Sequence, residues 1–217
     1  MMKISKKKHL EIALQNIPQH PHPKIELEQY LTPAPIAADI LWNAHTLGDI
    51  ENKKILDLAC GTGIFTIGSA LLKSEKSIGI DIDPQSLNTA QEFTNKNKIT
   101  NTEFLEKEIN TEFNKKTHPS LENIQTTIQN PPFGSQARGE KGKDRIFIEK
   151  AAELSQIIYS FHMAETEDFI TKYFEKQNTT ITHKFHYKFT LPHTYPFHTK
   201  ENKQINVIVI RAQKKRI

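Results

Sequence analysis

The chain has a single cysteine, Cys60, in 217 residues. One thiol cannot close an internal disulfide, and a zinc module built on clustered cysteines is excluded with it. No apolar run approaches the roughly 20 residues that a membrane-spanning helix needs. Near the start, Lys6, Lys7 and Lys8 precede Leu10, but Glu11, Gln15 and Asn16 break any apolar stretch, so no cleavable secretory signal is expected. Excess charge is also small: 29 Lys and Arg stand against 25 Asp and Glu, leaving +4. That balance permits a nucleic-acid partner without demanding one. Internal repeats and low-complexity blocks are missing too. The expectation is a soluble, cytoplasmic protein with one core, in which Cys60 is small buried filler rather than a nucleophile.

What the chain does contain is an alternation of short apolar runs and helical patterns. Residues 5–17 carry Leu10, Leu14 and Ile17 at helical spacing, and the Pro-rich stretch 18–23 cannot continue that helix. Residues 1–24 are therefore read as an N-terminal helix and linker ahead of a domain spanning 25–217. A second helix is predicted after Thr32-Pro33, with Thr32 as its N-cap, running to about His45. From 54 onward strands and helices alternate: strands at 54–59, 77–81, 102–107, 124–129 and 156–161, with helices at 64–72, 84–97, 144–154 and 165–177 among them. The last two apolar runs, 180–191 and 205–213, have no helix between them and so should pair antiparallel. The result is an α/β fold with helices on both faces of a mostly parallel sheet. Seven strands, parallel except for a closing C-terminal antiparallel hairpin, resemble the Rossmann-like class I methyltransferase fold.

Two segments carry chemistry. In the first, Asp57-Leu-Ala-Cys-Gly-Thr-Gly63 joins a strand to a helix, and its glycines allow a tight turn and close approach of backbone to a ligand. Asp81 ends the following strand 20 residues beyond Gly61, where a carboxylate can accept both hydroxyls of a ribose. Together they point to an adenosine-containing ligand held by Asp57, Ala59, Gly61, Gly63, Asp81 and Ile82. A dinucleotide fingerprint would want a third glycine where Thr66 stands, which weakens NAD without excluding it.

The second segment, Asn130-Pro131-Pro132-Phe133, follows the strand at 124–129. Open α/β sheets place their chemistry at such strand ends. Two prolines stiffen the backbone, so the Asn130 side-chain oxygen and the Pro131 carbonyl can be aimed at a planar amine while Phe133 stacks on the ring that bears it. This is a holder for an exocyclic amino group. The polar segment 135–143 that follows, with Arg138, Lys141 and Lys143, can meet phosphates as a loop or be plain surface. Tyr195, Phe197 and His198 either border a base pocket or pack as a hairpin connection. The histidines at 20, 22, 183, 186, 193 and 198 form no convincing ligand set, and no metal site is expected.

The loop DLACGTG, the acidic GIDID segment and NPPF, in this order, resemble class I S-adenosylmethionine-dependent methyltransferases acting on amino groups. More closely the chain resembles the methyltransferase-like protein 5 family and its archaeal relatives over about residues 25–213, through Leu27-Glu28-Gln29-Tyr30, Thr32-Pro33, Asn130-Pro131-Pro132-Phe133-Gly134, Leu191-Pro192, and Tyr195, Phe197 and His198. The resemblance implies methylation of adenine N6 in small-subunit ribosomal RNA. It implies that Gln29 and Thr32 fold over the methionine part of the cofactor, that Asp81 takes the ribose, that Glu108 lies near the adenine amine, and that Asn130 and Pro131 hold the target. It also implies a small zinc-binding activator protein pairing with an edge strand, for which 102–107 is the candidate. Ala59 departs from a glycine usual in the family, and Glu108 from a shorter Asp. Protein glutamine-N5 methylation, guanine-N2 methylation of ribosomal RNA and a non-catalytic binding subunit are the competing readings.

Overall fold

The computed structural model describes residues 3–20, 22–24, 27–29, 31–110, 112–114, 116, 118–133, 143–191 and 203–215. Helices α1 (Lys7–Gln15) and α2 (Ala34–Thr46) precede strand β1 (Lys54–Leu58). Then follow α3 (Ile64–Leu71), β2 (Lys76–Asp81), α4 (Pro84–Lys96), β3 (Thr102–Glu106) and β4 (Thr126–Gln129). The chain closes with α5 (Lys143–Leu154), β5 (Ile157–Met163), α6 (Glu167–Lys176), β6 (Thr179–Leu191) and β7 (Lys203–Lys214).

The seven strands form one sheet in the order β3-β2-β1-β4-β5-β7-β6. Pairings among β1 to β5 are parallel, whereas β7 runs antiparallel to both β5 and β6. The expected hairpin at the end of the chain is there, and the segment at 102–107 does form a sheet edge. Strand order reverses between β1 and β4. At such a switch point the two carboxyl ends diverge and leave a crevice, which puts the turn after β1 and the residues after β4 side by side.

Both faces of the sheet are covered, so the buried parts of β1 and β2 are mostly apolar or small, while β4 buries the polar side chains of Thr126, Thr127 and Gln129 beside Ile128. Alternation along β1 sends Ile55 into one cluster, with Leu10, Leu14, Ile40, Leu41 and Phe65, and sends Leu56 and Leu58 into the other, with Ile148, Ile170 and Phe174. Helix α1 thus contributes Leu10 and Leu14 to the main core, both fully buried. Thr32 does not cap α2 as predicted. The helix starts at Ala34 with Pro33 in the cap position, and the Thr32 hydroxyl is engaged elsewhere.

His162 on β5 is buried with its ring edge-on to Phe174, and that burial holds its imidazole at about 3. An unfolded histidine takes up its proton near 6.5. Between those values the unfolded chain binds the extra proton, so stability falls as pH falls. Urea denaturation at pH 7 and pH 5 is expected to show the wild type losing about 2 kcal/mol more than a His162→Phe variant over that interval. Equal losses in the two proteins would remove His162 as the cause.

Candidate active site

The turn after β1 passes through three left-handed residues, Ala59 (φ 61), Gly61 (φ 54) and Gly63 (φ 85). Glycine enters that region freely, but Ala59 does so at a cost of roughly 1 kcal/mol, which explains why a glycine would be the natural occupant. The turn is tied to its neighbour by Cys60 N–H donating to the Ile80 carbonyl at 2.9 Å. Asp81 completes the link: its Oδ2 accepts the Gly61 N–H at 2.7 Å and its Oδ1 accepts the Asp83 N–H at 2.9 Å. Burial pushes the Asp81 carboxyl above its usual value, and those two N–H groups oppose the rise.

A cavity of about 230 Å³ opens at this edge. Among the residues singled out from the sequence, Gln29, Thr32, Ala59, Gly61, Asp81, Ile82, Glu108, Asn130 and Pro132 line it. Asp81 and Asn130 therefore share one chamber. Ile82 offers an apolar side chain that is 48% exposed.

Others lie elsewhere. Asp57 does not face the cavity, because the strand alternation turns it toward α3, where its Oδ2 accepts the Thr66 N–H at 3.0 Å and hydroxyl at 2.8 Å. Burial raises its carboxyl to about 8, and the two Thr66 bonds work against that rise. Gly63 serves packing: a Cβ there would come within 3.0 Å of the Phe104 ring. Pro131 is not in the lining, and Phe133 is half-buried against the core cluster with its N–H donating to the Glu28 carboxylate at 2.6 Å. Lys143 opens α5, while Arg138, Lys141, Tyr195, Phe197 and His198 lie outside the described residues.

Beyond Gln29 and Thr32, nothing in the sequence announces how the roof, the segment over the cavity, is held. The described residues between 18 and 32 cross the cavity and are pinned at both sides. His20 Nδ1 lies 2.7 Å from Ser86 Oγ, Lys24 Nζ donates to Asp83 Oδ1 at 2.9 Å, and Gln29 donates to Asp83 Oδ2 at 2.8 Å. Burial would raise the Asp83 carboxyl, but hydrogen bonds from Lys24, Ser86 and Gln29 hold it down at about 2. On the far side, Asn130 Nδ2 donates to Thr32 Oγ1 at 3.0 Å. That bond fixes the amide, and Asn130 Oδ1 is left buried with no partner among the described residues. Thr62 Oγ1, in the same lining, is buried and unpartnered as well. Ile146 and Phe147 of α5 also line the chamber, with no motif to announce them.

The family described as ribosomal protein L11 methyltransferase (PrmA) matches residues 43–127. The protein MJ0284 of Methanocaldococcus jannaschii is 40% identical over 96% of this chain and 94% of its own. The rRNA N(6)-adenosine-methyltransferase METTL5 of Danio rerio is 33% identical over 95% of this chain and 98% of its own. A crystal structure from Pyrococcus horikoshii, of a protein described as a candidate RNA methyltransferase (PH1948), superposes with a TM-score of 0.84 at 34% identity, covering 97% of this chain and 98% of that one. With relatives of that similarity along nearly its whole length, the chain belongs to the METTL5 family of methyltransferases.

Proposed function

We propose that the chain transfers a methyl group from S-adenosylmethionine to the N6 amine of an adenine in RNA, specifically in small-subunit ribosomal RNA. The observation that carries this reading is the buried, unpartnered Oδ1 of Asn130 in the chamber it shares with Asp81. A buried acceptor without a donor costs about 1–3 kcal/mol, and an amine N–H supplied by a substrate relieves it.

The lining fits the cofactor. Asp81 keeps lone pairs for ribose hydroxyls beyond the two N–H bonds it already accepts, Ile82 offers apolar surface to an adenine, and the Gly61 turn lets backbone come close. When bound, S-adenosylmethionine supplies an electrophilic methyl group. Asn130 holds the amine in line with it through one N–H bond, and Thr32 holds Asn130. An adenine amine is a poor nucleophile because its lone pair delocalises into the ring, so rate comes mainly from position and orientation. The amine's proton leaves to solvent afterwards, and no residue is assigned as base. The ring has to be unstacked to enter, which favours single-stranded or loop RNA.

Phosphate contacts by Arg138, Lys141 and Lys143, and a base pocket bordered by Tyr195, Phe197 and His198, belong to the same proposal. So does a small zinc-binding activator paired with β3, whose side chains are half-exposed along a sheet edge. Gel filtration with and without such a partner tests it, and unchanged solubility and activity would count against it. The central assay incubates the chain with radiolabelled S-adenosylmethionine and either bare small-subunit RNA or total protein, then digests and identifies the product. Label in N6-methyladenosine is expected. Label in N5-methylglutamine or N2-methylguanosine would replace the proposed substrate.

A further inference from the structure

His20 stands in a Pro/His-rich stretch with no motif of its own, yet its ring lies on the glycine turn. A Cβ on Gly61 would fall 2.9 Å from His20 Cε1 and 3.0 Å from Nε2, so the ring and the turn are in van der Waals contact only because residue 61 is glycine. The other ring nitrogen is committed. Ser86 Oγ spends its one proton on Asp83 Oδ2 at 2.7 Å, so it can only accept at the 2.7 Å contact with His20 Nδ1. Nδ1 therefore carries the hydrogen. In the neutral ring Nε2 is then a bare acceptor. Burial lowers the His20 imidazole below its usual value, against the pull of the Asp81 and Asp83 carboxylates, which keeps the ring neutral near pH 7.

Nε2 has no hydrogen-bond partner among the described residues, and His20 lines the cavity together with Gly61 and Asp81. An acceptor in that corner calls for a donor. We infer that His20 is a further cofactor-binding residue, its Nε2 accepting a hydrogen bond from a sugar hydroxyl of the adenosyl ligand beside Asp81. The inference rests on the cofactor reading given above. It adds to the sugar corner a second acceptor delivered by the roof rather than by the sheet, and the Asp83–Ser86–His20 relay sets its tautomer. The same relay makes ligand binding hold the roof segment in place.

Calorimetric titration of the full chain with S-adenosylhomocysteine, and with its 2′-deoxy and 3′-deoxy analogues, tests this. His20→Phe keeps a ring but removes the acceptor, and is expected to weaken binding about tenfold, the worth of one such bond. His20→Gln, whose amide oxygen can accept, should recover part of that loss. One of the two hydroxyl deletions should cost the wild type about tenfold more than it costs His20→Phe, a difference that a merely structural histidine would not produce. Equal affinity of wild type and His20→Phe, or hydroxyl deletions costing both proteins the same, would overturn the assignment. Failure of the wild type itself to bind S-adenosylhomocysteine would instead overturn the cofactor reading and this inference with it.

Discussion

Asn130→Ala is expected to lower turnover about a thousandfold or more while leaving the dissociation constant for S-adenosylmethionine within about twofold. The asymmetry follows from the bonding of the amide. Its Nδ2 is committed to Thr32 and its Oδ1 has no partner among the described residues, so the side chain contributes an acceptor to whatever amine enters rather than to the fold or the sugar corner. Thr32 is then a positioning residue. Thr32→Val keeps the shape but removes the acceptor for Nδ2, so the amide is free to rotate and present either end. A fall in kcat of about tenfold is expected, with little change in cofactor affinity, and Thr32→Ser should restore most of it. Single-turnover kinetics and calorimetry on the three variants separate the two effects. Loss of cofactor binding in Asn130→Ala, or a Thr32→Ser variant as slow as Thr32→Val, would break this division of roles.

The sequence made some of this legible and concealed the rest for physical reasons. The alternation from residue 54 onward shows because strands covered on both faces are mostly apolar or small, as Ile55, Leu56, Leu58 and residues 78–80 are. Asp81 shows because a carboxylate at the end of the strand after a glycine turn has a fixed place in such folds. Thr32 answers to a distant partner rather than to local capping rules. A threonine before Pro33 looks like a cap, but Asn130, almost a hundred residues away in the chain, offers its amide, and the tertiary partner wins. Asp57 sits in the motif, yet strand alternation decides where it points, and it points at Thr66. His20, Lys24 and Glu28 lie in an irregular segment without periodicity. Only their distant partners, Ser86, Asp83 and the Phe133 N–H, give that segment a course. Phe133, the expected stacking partner of the target base, also packs part of its ring against the core.

Replacing Asp49 by Ala is expected to destabilise the chain by about 3–5 kcal/mol without changing kcat or KM measured well below the melting temperature. Asp49 and Arg211 are each 7% exposed and Tyr159 is fully buried. Arg211 grips the carboxylate in a fork, Nε to Oδ2 at 2.8 Å and Nη2 to Oδ1 at 3.0 Å, and the Tyr159 hydroxyl donates to Oδ2 at 2.6 Å. Arg211 Nη1 reaches on to Thr182 Oγ1 at 2.6 Å. One carboxylate thus joins the turn after α2 to β5, β6 and β7, the antiparallel end of the sheet. Burial, then the Asp49 bond, pushes the Tyr159 hydroxyl well above its usual value, so it remains a donor throughout the neutral range. Burial would lower Arg211, but Asp49 outweighs it and holds the guanidinium charged. Removing the carboxylate strands a buried cation, which is far costlier than removing both charges together. The double change Asp49→Leu with Arg211→Met should therefore recover more than half of the loss, read as urea midpoints at constant slope. None of these residues lines the cavity, which is why activity should survive. A loss below about 1 kcal/mol in Asp49→Ala, or a double variant less stable than the single one, would show that the fork does not hold these elements together.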